Sequence, residues 1–316
     1  MEIDTLLLHT GNETDERTGA LSIPVYNAST YHQKDIDHRQ EYEYSRSGNP
    51  TREAAERSVA AIEGGHRAFA FASGMAAISS SVMAVVSSGD HIIVTRDIYG
   101  GAYRFFTSFL NSFGVEYTFV NASDINAIEA AIRDNTRAVY IETPSNPLLT
   151  ITDIRKVADL CRARNLISLI DNTFMSPYYQ RPLTLGIDIS IHSATKFLGG
   201  HSDLLAGVSI AANQEIAKKI YAVQNTLGGV LPPQDSWLLM RGIKTLGARM
   251  TIQSSHAQII AEWLSSQSWV THVYYPGLSG HINRDIHFSQ AGSAGAVLSF
   301  ECDTVSRAKA ILGNAK

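Results

Sequence analysis

Lys196 follows an apolar alternating run (Ile187, Ile189, Ile191). Ser193 and Thr195 precede it, and Gly199-Gly200 follow. The run reads as a strand. A lysine just past its end stands where parallel α/β sheets build their sites. A lysine buried there loses its proton readily, and a neutral amine forms imines with carbonyl carbons. One alternative is a surface lysine capping a loop. Another is an acyl-enzyme serine, because Ser193-x-x-Lys196 also fits that pattern. That chemistry expects its serine at a helix start with S-D-N and K-T-G partners, which this chain lacks.

Other candidates also fall at strand ends. Asp171 closes the apolar segment Leu166 to Ile170 and could pair with a protonated ring nitrogen; the alternative is a helix N-cap. Ser73-Gly74-Met75-Ala76 sits at a strand-to-helix junction, whose free N–H groups and dipole suit a phosphate. Ser193 and Thr195 could add hydroxyl donors, or simply cap the strand. Tyr99 could stack on a planar ring, or belong to the core. Tyr44 and Arg46 are further phosphate candidates, or a solvated pair. A lysine for an aldehyde, an acid for a pyridine nitrogen, an anion cradle and a ring-facing aromatic are what pyridoxal 5′-phosphate (PLP) requires. Each signal has an ordinary alternative alone. Together, and in this order, they specify a PLP site with Lys196 as its Schiff-base lysine.

The elements that must position these residues follow from pattern. Residues 1–47 look irregular and carry Tyr26, Tyr31, Tyr42 and Tyr44, which suggests an arm lying on a neighbouring subunit. Pro50 opens a helix that can end at Gly64-Gly65. From residue 67 strands and helices alternate, with strands expected at 67–72, 91–95, 115–120, 137–142, 166–170, before Lys196, and at 206–211. That alternation predicts an α/β fold with a mostly parallel sheet covered on both faces, over 48–241. Residues 242–316 read as a smaller α+β domain. One long amphipathic helix is expected over 244–266, strands at 270–275 and 296–301, and a helix from 305 to about 312.

Composition narrows the class. The chain has 316 residues, formal charge −4 and two cysteines, Cys161 and Cys302. No basic run points to nucleic acid and no apolar stretch reaches a membrane span. No Cys or His spacing suggests a metal, and few cysteines with no leader pattern suggest the cytoplasm.

The motifs Tyr44-Ser45-Arg46-Ser47-Gly48-Asn49-Pro50, Ser73-Gly74-Met75-Ala76-Ala77, Asp97-Ile98-Tyr99-Gly100-Gly101, Glu142-Thr143-Pro144-Ser145-Asn146-Pro147, Asp171-Asn172-Thr173-Phe174 and His192 through Asp203 resemble the Cys/Met-metabolism (trans-sulfuration) PLP enzymes of fold type I. The resemblance spans the chain and is strongest to bacterial cystathionine lyases. It implies that Lys196 carries PLP and moves protons, Asp171 pairs with the ring nitrogen, and Tyr99 stacks. It implies that Gly74, Met75, Ser193 and Thr195 hold the phosphate. Thr173 is grouped with these cofactor contacts. Tyr44 and Arg46 would be donated to a neighbouring subunit's phosphate, in a dimer or homotetramer. Asn146 would contact the cofactor hydroxyl or the substrate carboxylate. Family members usually continue beyond Lys316, into a segment with a carboxylate-binding arginine, so the small domain is expected to be incomplete. Methionine γ-lyases place cysteine where this chain has Gly101, which argues against that activity.

The expected function is β-elimination of L-cystathionine to homocysteine, pyruvate and ammonia, in sulfur amino-acid and methionine metabolism. The alternatives are a cystathionine γ-lyase, a γ-replacement enzyme (cystathionine γ-synthase or O-acetylhomoserine sulfhydrylase), or a subunit that keeps PLP without turnover.

Overall fold

The structure is a computed structural model and describes residues 2–11, 13–38 and 40–315. Met1 and Lys316, the ends of the two outer expected regions, lie outside the described residues.

Seven short apolar segments form one sheet. They are β1 Arg67–Phe71, β2 His91–Thr95, β3 Glu116–Val120, β4 Thr136–Glu142, β5 Ile167–Asp171, β6 Ile189–His192 and β7 Gly207–Ala211, in the order β1-β7-β6-β5-β4-β2-β3. The pairs β2–β3, β2–β4, β4–β5 and β5–β6 are parallel. β7 runs antiparallel to both its neighbours. The expected mostly parallel α/β sheet is therefore present, with one reversed strand that periodicity alone does not distinguish.

Period 2 explains the two buried faces. On one face Phe69, Ile92, Val94, Tyr140 and Leu169 pack with Ala77, Ile78 and Val82 of helix Gly74–Met83. On the other, Ile93, Val139, Ile141 and Ile170 pack with Ile154, Val157 and Cys161 of helix Ile154–Ala163. Each fully buried aliphatic side chain contributes roughly 1.5–3 kcal/mol. Truncating Ile141 to alanine would cost about 2–5 kcal/mol.

The helix starts follow their capping residues. Asn49 accepts the N–H groups of Thr51 and Arg52 at the start of Pro50–Glu63, and Gly64, at φ 75°, ends that helix. Ser73 caps Gly74–Met83 by accepting the Ala76 N–H at 3.1 Å.

Three expectations need correction. The arm holds a helix, Ile3–His9, because Leu7 finds a buried place against helix Pro50–Glu63 of the same chain. Helices Gln214–Leu227, Pro233–Ile243 and Arg284–Gln290 were not anticipated; each is read correctly only once its packing partners are known. The long helix is Leu246–Ser265, but it is not amphipathic: Ile252, Ile259 and Trp263 are exposed opposite the buried Met250, Ala257 and Leu264. Beyond it, β8 Val270–Tyr274 and β9 Ser299–Cys302 form a separate antiparallel pair, β9 starting three residues later than expected. No described helix is long and apolar enough to cross a membrane.

Candidate active site

The carboxyl ends of the central strands gather the candidates. β4 ends at Glu142 and β5 at Asp171, and these two residues are directly opposite in the parallel register. β6 ends at His192, next to Ser193. β1 leads into Ser73, and β2 leads towards Tyr99.

Asp171 is buried, 6 % exposed. Its Oδ1 accepts the Thr173 hydroxyl at 2.6 Å and the Thr173 N–H at 3.0 Å. The same hydroxyl oxygen accepts the Ser193 N–H at 2.8 Å. Thr173 thus ties the acid to the strand that leads to Lys196. Within that turn the Lys196 N–H donates to the Ser193 carbonyl at 3.0 Å. The Lys196 side chain is exposed and has no ion-pair partner among the described residues.

Gly74 is required by close packing. A Cβ there would lie 2.8 Å from Ser193 Oγ and 2.9 Å from Ser193 Cβ. The Gly74 and Met75 N–H groups have no hydrogen-bond partner among the described residues, as expected of a helix's first turn. Thr195 already has a protein partner. Its hydroxyl donates to the Ala206 carbonyl at 3.1 Å and accepts the Ala206 N–H at 3.0 Å, so its polar capacity is already engaged.

Tyr99 is 48 % exposed, not part of the core. Gly101 lies against it: a Cβ would be 2.4 Å from Tyr99 Cε1 and 2.9 Å from Met75 Sδ. The Tyr99 N–H donates to Glu142 Oε2 at 3.0 Å, and the Asn146 N–H donates to Glu142 Oε1 at 2.8 Å. Glu142 thereby links Tyr99 and Asn146, and it neighbours Asp171, which Thr173 ties to Ser193 at the start of the Lys196 turn and against Gly74. Reading by residue type gave Glu142 no role, although its place at a strand end before Thr143-Pro144 was a usable signal.

Tyr44 and Arg46 stand outside this set. Arg46 donates to the carbonyl and side-chain oxygens of Asn225 and lies 5.3 Å from the Tyr44 ring centroid. Tyr44 is exposed, and Arg52 Nη2 holds the Arg46 carbonyl at 3.2 Å.

The electrostatics single out an acid pair. Burial raises the Glu142 carboxyl well above the usual carboxylate range, and the charge of Asp171 adds to this. Burial likewise raises Asp171, against the lowering effect of its Thr173 bonds. No lysine or arginine pairs with either among the described residues. Two buried carboxyls lacking a cation fit a group that brings one, as a protonated pyridine does. The open N–H groups of Gly74 and Met75 fit an anion. The residues present therefore suit PLP. No cluster among the described residues suits a metal.

Comparison with known proteins agrees. The family model for Cys/Met metabolism PLP-dependent enzymes matches residues 4–316. The chain is 49 % identical over its whole length to a cystathionine gamma-lyase of Bacillus subtilis, covering 83 % of that protein. It is 48 % identical over 312 residues to the cystathionine beta-lyase MetC of the same organism, covering 99 % of this chain and 80 % of that one. A crystal structure of cystathionine gamma-lyase from Lactobacillus plantarum complexed with L-serine superposes with a TM-score of 0.94 at 48 % identity. It covers 96 % of this chain and 79 % of that one.

Proposed function

The chain belongs to the Cys/Met metabolism family of PLP-dependent enzymes, with PLP as its cofactor, and from that premise we propose a carbon–sulfur lyase that cleaves L-cystathionine by β-elimination. One water is consumed, and homocysteine, pyruvate and ammonia are released. The observation that carries the reading is the gathering of Lys196, Asp171, Ser193, Gly74 and Tyr99 at the strand ends.

Bound PLP supplies an electron-withdrawing ring that lets a Cα proton leave the amino-acid substrate. The chain does the rest. The Lys196 amine would hold the cofactor at its aldehyde carbon, and as a free amine would take the Cα proton of the substrate. Asp171 keeps the ring nitrogen protonated, and Thr173 holds Asp171 in orientation. Tyr99 covers one ring face. The Gly74 and Met75 N–H groups, with the Ser193 hydroxyl, would hold the phosphate, and Thr195 would join them by giving up its bond to the Ala206 carbonyl. Asn146 contacts the cofactor hydroxyl or the substrate carboxylate. Tyr44 and Arg46, exposed and outside the chain's own site, suit donation to a neighbouring subunit in a dimer or homotetramer. A cytoplasmic location fits this metabolism.

The 49 % identity to a γ-lyase supports a second reading, γ-cleavage to cysteine, 2-oxobutyrate and ammonia. Visible absorption of the purified protein tests the site: it should be present in wild type, respond to L-cystathionine, and vanish in Lys196→Ala. Its absence from cofactor-replete wild type overturns the reading. The keto acid released then separates the two chemistries, pyruvate for β and 2-oxobutyrate for γ.

A further inference from the structure

We infer that Glu142 is a positioning residue, a two-armed clamp that fixes the spacing between the Tyr99 loop and the Asn146 loop. The inference rests on the reading of the strand ends as a PLP site.

Tyr99 and Asn146 sit on separate loops, one following β2 and the other β4, and those strands are paired neighbours. Neither loop is held by the sheet ladder at these positions. Glu142, 6 % exposed, stands between them and gives one oxygen to each: Oε2 to the Tyr99 N–H at 3.0 Å, Oε1 to the Asn146 N–H at 2.8 Å. A second link joins the same loops, the Thr150 hydroxyl donating to Asp97 Oδ2 at 3.2 Å. The Glu142 carboxyl touches only backbone in its two bonds, so it ties the loops together at their bases, beside the side-chain link from Thr150 to Asp97.

The consequence is geometric. On that reading Tyr99 would cover a face of the cofactor ring, and Asn146 would contact the cofactor hydroxyl or the substrate carboxylate. A clamp at the base of both loops fixes one relative to the other, and small misplacement of such groups is costly to rate. The clamp needs two acceptors. A carboxylate offers two, whereas a carboxamide offers one oxygen and a non-accepting NH₂. Glu142→Gln therefore keeps size and shape but must release one loop.

The test uses the holoenzyme, with cofactor absorption verified first in wild type and Glu142→Gln. Amide hydrogen exchange should accelerate at least about tenfold at Tyr99 or Asn146 in the variant, with Val139 and Ile141 in β4 unchanged. Circular dichroism in the cofactor absorption band, which reports ring orientation, should fall while the absorption itself remains. Unchanged exchange at both amides with an unchanged circular dichroism band overturns the clamp. So does uniform acceleration through β4 and β5, which would mark general loosening. If the variant does not fold or load cofactor, wild-type holoenzyme decides. The Tyr99 and Asn146 amides should exchange much more slowly than that of Gly100, which has no partner among the described residues. Equal rates overturn the inference. A wild type lacking cofactor absorption would overturn the site reading instead, and exchange at these amides would still report on the clamp.

Discussion

The Thr173 hydroxyl donates to the buried Asp171 carboxylate at 2.6 Å while its oxygen accepts the Ser193 N–H at 2.8 Å. One side chain thus fixes the acid and the start of the lysine turn together. Thr173→Val leaves the Ser193 N–H without its acceptor and Asp171 Oδ1 with only the Thr173 N–H, a loss of about 1–3 kcal/mol. If this orientation serves the cofactor, PLP affinity should fall about tenfold to a hundredfold. Thr173→Ser, which keeps the hydroxyl, should stay near wild type. Absorption titration of the apoprotein measures both; equal affinities for Val and wild type would remove Thr173 from the site.

Gly101 and Gly100 make a matched pair. A Cβ at Gly101 meets Tyr99 Cε1 at 2.4 Å, while one at Gly100 finds nothing closer than Arg104 Nη1 at 3.9 Å. Gly101→Ala must displace the Tyr99 ring and should lower kcat/KM at least about tenfold, given how steeply rate depends on placement. Gly100→Ala should be nearly silent. Similar losses in both would mean that Tyr99 position does not matter.

Glu56 and His287 pull stability in opposite directions with pH. Burial pushes Glu56 from 4.5 up to about 7, against the opposing pull of Arg52. Its share of stability is fully present below about pH 4.5 and is lost as pH rises towards 7. Burial pushes His287 from 6.5 down to about 4, so its share is present above 6.5 and is lost as pH falls towards 4. Glu56→Gln should therefore gain stability relative to wild type as pH rises from 4.5 to 7, by at most about 3 kcal/mol. The oxygen of Gln can still accept the Ala70 N–H, now held at 2.9 Å. His287→Gln should show the opposite trend. Urea midpoints across pH 4 to 8 measure both differences; a pH-independent Glu56→Gln effect would contradict the shift.

Arg52 couples that acid to the arm. It is 3 % exposed, lies 3.5 Å from Glu56, and donates to the Ser45 carbonyl at 2.7 Å. Arg52→Met strands a buried carboxylate above neutral pH, where it should cost about 3–5 kcal/mol. Adding Glu56→Gln should recover a large part of that. Thermal denaturation of the single and double variants checks it, and additive losses would show that the two residues are not coupled.

The strand ends were legible because a buried parallel strand shows its apolar run and stops where polar chemistry begins, as at Ile170-Asp171 and Ile191-His192. Gly74 was legible only as a glycine at a strand-to-helix junction, which is common; its close packing against Ser193 appears only in the fold. Glu142 was not, because its partners are backbone N–H groups, which every residue carries and no sequence marks. The full engagement of Thr195 with Ala206 was hidden for the same reason. The direction of β7 was hidden because period 2 is identical for parallel and antiparallel strands. Helix Ile3–His9 was missed because seven residues are too few to show a period.

The reversed β7 also has a consequence in time. In the sheet β1 pairs only with β7, through Arg67↔Ala211 to Phe71↔Gly207. Its other edge is met by residues 229–231, through Ala72 to Gly229 and Leu231 to Ala70. The two partners emerge from the ribosome roughly 140 and 160 residues after β1 itself, a delay on the order of ten seconds at ordinary synthesis rates. Throughout that interval Phe69 and Phe71 sit on a strand with no sheet to join. A nascent chain of this protein should need shielding there, and the first strand made is among the last to be secured.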